Sequence, residues 1–273
     1  PPLVLFSLIT VGYSANALGG AGGPLAVLII AIVAAELGKA VSKETKIDIL
    51  ATPLVTIFAG VGLSMLIAAP IGAAASQVGT LIMWATEQAP LVMGILVSVI
   101  VGVALTLPIS SAAICAALGL TGLAGGAAVA GCCAQMMGFA VMSYKENGVG
   151  GLVSQGLGTS MLQMGNIIKN PRIWIAPTLA SAITGPLATC LFHFEMNGAA
   201  VSSGMGTCGL VGQIGVYTGW VSDIAAGTKA AITPMDWAAM LLICFVLPAV
   251  LSVVFCEIER KLGWIKEGDL KLN

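Results

Sequence analysis

The chain has 273 residues, of which 58% are hydrophobic and only 8% are charged, and its formal net charge at pH 7 is −1. A soluble domain carries roughly 25% charged residues because its surface faces water. This composition predicts a surface that faces the lipid bilayer. No basic patch or aromatic ladder indicates a nucleic-acid partner. The chain begins with Pro-Pro rather than Met, which leaves room for a short preceding segment.

Eight hydrophobic stretches predict membrane-spanning helices, since a span takes about 20 mostly apolar residues. They lie at about 3–19, 21–38, 49–70, 90–117, 119–143, 149–167, 172–195 and 236–257. The stretch 149–167 carries Gln155 and Gln163, which are costly against lipid, so we expect it inside the bundle or beside a cavity. These stretches form one transmembrane domain over 1–258. Residues 259–273 are amphipathic and predict a tail at the cytoplasmic membrane interface.

Lysine and arginine predict the orientation, because cytoplasmic loops usually carry an excess of them. They cluster as Lys39, Lys43 and Lys46; as Lys169 and Arg172; and as Arg260, Lys261, Lys266 and Lys271. If the eight stretches cross in alternation, and the small-residue segments 72–80 and 198–207 stay on one side without crossing, all three clusters lie in the cytoplasm with the C-terminus. Lys145 and Lys229 then lie on the outer side. The alternative is an arrangement in which each of these two segments crosses fully.

One small-residue phrase occurs twice, as GAAASQVGT at 72–80 and as GAAVSSGMGT at 198–207. In each half, one proline precedes the phrase, a second opens the next helix and a third lies deep within that helix. They are Pro53, Pro90 and Pro108 in the first half, and Pro177, Pro234 and Pro248 in the second. This order predicts two parallel internal repeats, at about 21–118 and 149–258, joined by a connector helix at 119–143. The alternative is a chance match between glycine- and alanine-rich sequences.

The two phrases predict a pair of re-entrant hairpins that enter from the outer side and meet near the middle of the membrane. Non-helical backbone at that depth is tolerated only inside protein or beside a wet cavity. The polar groups that the hairpins would offer to a neutral, hydroxyl-rich solute are Ser76, Gln77, Thr80, Ser202, Thr207 and Gln213. The alternative is tight helix packing through small residues.

A second polar cluster, His193, Glu195 and Asn197, lies just before the second phrase. A carboxylate close to a membrane segment is expensive unless it is hydrogen-bonded, and it is usually functional. The cluster predicts a sugar-binding or proton site that faces a cavity beside the second hairpin. The alternative is a hydrated carboxylate at the outer interface. No catalytic constellation, cofactor motif or metal-ligand spacing is present, so we expect neither cofactor nor metal.

Several phrases carry a family resemblance: TLPISSAAICAALGLTG, ENGVGGLVSQGLGTSMLQMGNIIKNPRIWIAPTLAS, TGPLAT and GMGTCGLVGQIG. Over about residues 20–258 the chain resembles the EIIC-like membrane permeases of the phosphotransferase system, in particular the group that includes the perfringolysin regulatory protein. The resemblance implies a homodimer in the bacterial inner membrane that handles a sugar or related solute. The chain holds no cytoplasmic IIB domain, so sugar phosphorylation would need a separate IIB-type protein.

Three functions therefore remain open at the level of sequence. The first is a permease for a small polar solute, built from repeats with the solute at their interface. The second is a membrane sensor that binds the same kind of solute and regulates through a partner. The third is a passive channel, which would need a continuous polar path. An enzyme acting alone is not expected, because the chain has no catalytic constellation.

Overall fold

A computed structural model describes residues 2–19, 23–44 and 47–272. These residues are helical throughout, apart from turns, irregular connections and one isolated bridge between Gly122 and Met196. The α-helices are α1 (Pro2–Gly19), α2 (Gly23–Val41), α3 (Asp48–Leu63), α4 (Ala69–Gln88), α5 (Pro90–Thr106), α6 (Ser111–Leu118), α7 (Gly122–Met142), α8 (Tyr144–Val153), α9 (Met164–Lys169), α10 (Ile175–Pro186), α11 (Ala200–Ser203), α12 (Val211–Ala225), α13 (Pro234–Leu241) and α14 (Leu247–Lys261). Lys46 lies outside the described residues.

Within the described ranges, four π-helical turns interrupt or extend these helices, at Ser64–Ala68, Ser154–Gly158, Leu187–Leu191 and Leu242–Val246. Short 3₁₀ turns lie at Ser160–Gln163, Pro171–Trp174 and Cys208–Leu210. Five helical segments of the described chain are long and apolar enough to cross a membrane, where the sequence predicted eight. They are Pro2–Gly19, Asp48–Gln88, Gly122–Met142, Pro171–Leu191 and Pro234–Lys261; Pro90–Thr106 is apolar but shorter.

The chain divides into two compact units. Unit 1 takes the described residues up to 81 together with 116–119, and unit 2 takes 82–115 and 120–272. In unit 1, α1, α2 and α3 pack against one another around a core of small and β-branched side chains that includes Val11, Ala15 and Ile30.

Helix α7 is the centre of unit 2, and it packs against α5, α10 and α14. Its sequence GLAGGAAVAGCCAQMMGFAVM is rich in glycine and alanine, and almost all of its residues are buried. A Cβ at Gly131 would overlap the carbonyl oxygen of Ser98 on α5, so glycine is needed for this close approach of two helices. The sequence analysis placed a connector here, and the structure shows the helix around which unit 2 is built.

The first small-residue phrase is helical, so the hairpin predicted over 72–80 is wrong. These residues lie within the continuous helix α4. A Cβ at Gly72 would overlap the carbonyl oxygen of Gly19, and one at Gly79 would overlap that of Leu118. The glycines therefore serve helix packing within unit 1, which is the alternative reading of the phrase.

The second phrase does form a turn-back between helices, the α11–α12 hairpin (residues 198–225). Its turn contains Gly206 and Gly209, both at a φ of +53°, a backbone conformation that glycine adopts without steric cost. A Cβ at Gly206 would come within 2.7 Å of Cys132 Cβ, so the turn lies close against α7. Cys132 lies about 15 Å along α7 from its first residue, so the hairpin tip lies near the middle of that helix.

The stretch predicted as a spanning helix over 149–167 is broken, so that prediction is wrong. It runs through α8, a π-helical turn, a 3₁₀ turn and α9, with Gly148 at a φ of +58°. Gln155 and Gln163 are fully buried, as their cost against lipid predicted. The Gln163 side-chain nitrogen donates to Gln155 Oε1 at 2.9 Å, which partners both amides inside the protein.

The C-terminal tail (residues 262–272) folds back on unit 2. Ile265 and Leu270 are buried. Asn147 Nδ2 donates to the Leu270 carbonyl oxygen, and Asn147 Oδ1 accepts from the Leu272 N–H, both at 2.8 Å. The two hydrogen bonds hold the tail on unit 2, and its place at the cytoplasmic membrane interface stays a prediction.

Lys145 lies at the same end of unit 2 as the C-terminal cluster. Its ammonium group is 2.9 Å from Glu257 Oε1, and Arg260 is 2.8 Å from Glu146 Oε1. The prediction that the membrane separates Lys145 from Arg260 is therefore wrong. The reason is that the broken stretch after α7 turns back at the end where it began.

Candidate functional site

A cavity of about 510 Å³, named here the Asn197 cavity, opens at the start of α7 in unit 2. Three elements build it: the irregular residues 192–197 that follow α10, the end of α12, and the start of α13. Its polar lining residues are His193, Glu195, Asn197, Asp223, Thr228, Lys229 and Asp236, and Trp220 supplies an aromatic wall. The structure thus brings His193, Glu195 and Asn197 together at one cavity.

Asn197 lies between two carboxylates. The N–H of Gly122 donates to Asn197 Oδ1 at 3.1 Å, which directs the amide nitrogen toward the cavity. That nitrogen donates to Glu195 Oε2 at 3.1 Å and to Asp223 Oδ2 at 2.9 Å. A single amide therefore holds two acidic groups from different elements at the same place.

Gly122 also fixes residues 192–197 by a backbone pair. Its N–H donates to the Met196 carbonyl oxygen, and the Met196 N–H donates to the Gly122 carbonyl oxygen, both at 3.0 Å. Phe194 and Met196 alternate with the polar residues and are buried in the core of unit 2. In an extended segment, successive side chains point to opposite sides. The side chains of Glu195 and Asn197 therefore point away from the core that contains Phe194 and Met196.

His193 begins this extended segment in the left-handed region, with a φ of +45°. This conformation is uncommon for residues other than glycine. The turn lets the chain leave the π-helical turn Leu187–Leu191 and enter the extended segment. The side chain of His193 is exposed in the cavity lining.

The opposite wall carries an ion pair and an aromatic group. Lys229 is 2.8 Å from Asp236 Oδ1 and 5.7 Å from the centre of the Trp220 ring. Asp236 Oδ2 also accepts from the N–H and hydroxyl of Thr233, which caps the start of α13. Because Asp236 neutralises Lys229, the negative charges of Glu195 and Asp223 dominate the cavity.

The other predicted site residues lie elsewhere. Ser76, Gln77 and Thr80 are on α4 in unit 1, where Ser76 is half-buried and the other two are exposed. Thr80 donates its hydroxyl proton to the Ser76 carbonyl oxygen of its own helix. These three residues do not belong to the Asn197 cavity.

Ser202, Thr207 and Gln213 are buried inside the α11–α12 hairpin and do not line the cavity. The Thr207 hydroxyl donates to the Gly156 carbonyl oxygen at 2.5 Å, which joins the hairpin tip to the broken stretch after α7. Gln213 Nε2 donates to Cys133 Sγ at 3.3 Å. They lie in the interior of unit 2, whereas the residues just before the hairpin line the cavity, and a role for them in solute binding stays a prediction.

The sequence analysis missed Trp220, Asp223, Lys229 and Asp236. The sequence does contain a signal for this wall of the cavity, because acidic and basic residues occur together within 223–236, between two apolar helices. Among the described residues, no group of three or more His, Cys, Asp or Glu side chains could hold a metal ion.

A family model described as Phosphotransferase system, EIIC matches residues 1–272. The chain belongs to this family. EIIC proteins are the membrane permease components of phosphotransferase sugar transport, which agrees with the apolar helices described above. The family indicates a multi-pass protein of the bacterial inner membrane. No match was found among curated proteins or among solved structures.

Proposed function

We propose that the chain is a permease for a neutral, hydroxyl-bearing solute such as a sugar, and that the Asn197 cavity is where the solute binds. The observation that carries the proposal is the pair of carboxylates, Glu195 and Asp223, held by one amide in a cavity of about 510 Å³. Ligand cavities are typically about 300–1,000 Å³ with a few well-placed polar groups.

The chemistry of the lining favours hydroxyl groups. Ionised carboxylates only accept hydrogen bonds, and sugar hydroxyls can donate to them. The ring of Trp220 offers an apolar surface beside these acceptors. An anionic solute is disfavoured, because Glu195 and Asp223 repel it and Lys229 is already paired with Asp236.

The proposal includes the mode of assembly implied by the family resemblance. We propose a homodimer that is not an enzyme on its own, and a separate cytoplasmic IIB-type protein as the partner for sugar phosphorylation. The α11–α12 hairpin is then re-entrant, since its tip lies near the middle of α7. Non-helical backbone at that depth is tolerated because it is buried among protein groups.

Equilibrium binding of a panel of neutral sugars to the purified full chain tests the proposal. Glu195→Gln and Asp223→Asn should each weaken binding of the recognised sugar by about tenfold or more, since hydrogen bonds to charged groups contribute ~1.5–3 kcal/mol. Glu267→Gln, which removes an exposed carboxylate from the tail, is the matched control and should bind like wild type. Wild-type affinity in both cavity variants would show that the solute binds elsewhere.

A further inference from the structure

A second cavity, of about 450 Å³, lies at the end of unit 2 opposite the Asn197 cavity. It is lined by α9, by the residue that follows α9, and by the C-terminal tail, so we name it the tail cavity. Its polar side chains are Asn166, Lys169, Asn170, Asp269 and Lys271. The sugar permease activity proposed above does not use it.

Two asparagine side chains in the lining hydrogen-bond the tail and so hold it against α9. Asn166 is buried, and its Nδ2 donates to the Lys271 carbonyl oxygen at 2.9 Å and to Gln163 Oε1 at 2.8 Å. Asn170 Nδ2 donates to the Trp264 carbonyl oxygen and to Asp269 Oδ2, both at 2.9 Å. The tail is therefore held at the cavity by hydrogen bonds from two asparagines, and Lys169 and Lys271 both line it.

The charge of the cavity is positive. In the described chain, neither Lys169 nor Lys271 takes part in an ion pair. Among the described residues of the lining, the one carboxylate belongs to Asp269, and it already accepts hydrogen bonds from Asn170 Nδ2 and from the N–H of Lys266. Arg172 lies at the same end, stacked 5.6 Å from the centre of the Trp264 ring.

We propose that the tail cavity binds a phosphate group, with the ammonium groups of Lys169 and Lys271 as its charged contacts. Lysine binds phosphate as a point charge with three donors, and two unpaired ammonium groups beside one cavity attract a multiply charged anion. The phosphate group belongs either to a soluble phosphate ester or to the headgroup of an anionic lipid. Both sources present the same oxygen acceptors to the lysines.

Thermal unfolding of the detergent-solubilised full chain, with inorganic phosphate as the probe, tests this proposal. Phosphate should raise the melting temperature of the wild type in a saturable way, beyond the effect of chloride at equal ionic strength. The double variant Lys169→Gln/Lys271→Gln should weaken the fitted phosphate affinity by about tenfold or more. Lys266→Gln, in the same tail but outside the lining, should retain wild-type affinity.

If the double variant does not fold, the comparison of phosphate with chloride on the wild type still tests the proposal. The single variant Lys169→Gln also tests it, because it leaves the residues of the tail unchanged. No difference between phosphate and chloride on the wild type would overturn the proposal, as would an unchanged phosphate affinity in the folded double variant.

Repeating the titration in phosphatidylglycerol and phosphatidylcholine nanodiscs distinguishes the two sources of the phosphate group. A weaker phosphate affinity in phosphatidylglycerol nanodiscs identifies the lipid headgroup as the source, because the lipid competes for the cavity. The same phosphate affinity in both kinds of nanodisc identifies a soluble ester. Sugar binding at the Asn197 cavity is measured separately, so failure of one proposal leaves the other testable.

Discussion

Asn197 shows how a neutral side chain can organise the charges of a cavity. Its oxygen is occupied by the Gly122 N–H, and its nitrogen serves Glu195 and Asp223. Without that nitrogen, the two carboxylates would face each other with no shared donor. The residue thus connects the local structure of the extended segment to the binding chemistry that we propose.

Asn197→Asp tests this role at the level of the residue. The substitution keeps an acceptor for Gly122 but replaces the donor with a third negative charge. We expect the free energy of unfolding to fall by about 1–3 kcal/mol, and sugar binding to be lost. Ala226→Asp adds the same charge at an exposed position after α12 and should change neither measurement by a comparable amount.

Glu259 carries a second prediction, because it is buried on α14 and neither carboxylate oxygen has a hydrogen-bond partner in the described chain. A buried charge without a partner destabilises the folded state. Glu259→Gln should therefore raise the melting temperature, by ~2 °C or more. Glu257→Gln, which removes an exposed carboxylate paired with Lys145, is the control and should lower the melting temperature slightly or leave it unchanged. A clear loss of stability in Glu259→Gln would mean that the carboxylate has a stabilising partner.

Sequence reasoning grouped His193, Glu195 and Asn197 correctly at one cavity because they are neighbours in the chain. Sequence reasoning missed Asp223 and Asp236 because they are distant from the cluster along the chain. Asp223 follows Asn197 by 26 residues, and α12 and α13 bring the two aspartates to the cavity. It also assigned Ser202, Thr207 and Gln213 to the same cavity. Proximity along the chain could not reveal that residues after 198 turn into the interior of unit 2.

At the scale of elements, one phrase takes two structures. Residues 72–80 continue a helix, whereas residues 198–207 form the start of a hairpin. The two sequences are similar, but the second phrase contains Gly204 and Gly206 and is followed closely by Gly209, and both Gly206 and Gly209 have a positive φ. The prediction that the phrases take equivalent structures is therefore wrong, and the internal duplication stays a prediction.

The packing role of the first phrase predicts a difference between two glycines of unit 1. Gly79→Ala should destabilise the protein, because the new Cβ would overlap the carbonyl oxygen of Leu118. Gly62→Ala on α3 meets no atom within 4 Å and should stabilise it by up to about 1 kcal/mol through helix propensity. Thermal unfolding of both variants checks this. Equal effects would show that Gly79 has no close helix neighbour.

The buried glutamines were predictable, whereas the break in their segment was not. Gln155 and Gln163 signalled an interior position by their polarity alone. The glycines and glutamines of 149–167 make it less hydrophobic than the other predicted spans, but they do not show where its helix ends. The break depends on partners far away, such as the Leu270 carbonyl oxygen that accepts from Gln163 Nε2 at 2.9 Å.

At the scale of the whole molecule, the position of Lys145 changes the expected topology. With Lys145 at the end of unit 2 that carries Arg172 and Arg260, the basic residues of this unit gather at one end, and only Lys229 lies at the other. The excess predicts that the end with the tail is cytoplasmic.

Cysteine labelling in oriented membranes checks the topology. Lys145→Cys and Lys266→Cys should react with a membrane-impermeant maleimide from the cytoplasmic side only, and Lys229→Cys from the outer side only. Modification of positions 145 and 266 from opposite sides would contradict the arrangement around Glu257 and Arg260.

The most direct test of the central claim is whether bound sugar shields the Asn197 cavity. Cys190, which is exposed, is first replaced by alanine. A cysteine is then placed at Thr228 in the cavity lining or at Ala226 outside it, and its rate of reaction with a maleimide is measured with and without the recognised sugar. The account predicts that saturating sugar slows the reaction of Thr228→Cys and leaves that of Ala226→Cys unchanged. An unchanged rate at Thr228→Cys, under conditions where sugar binding is saturated, would contradict it.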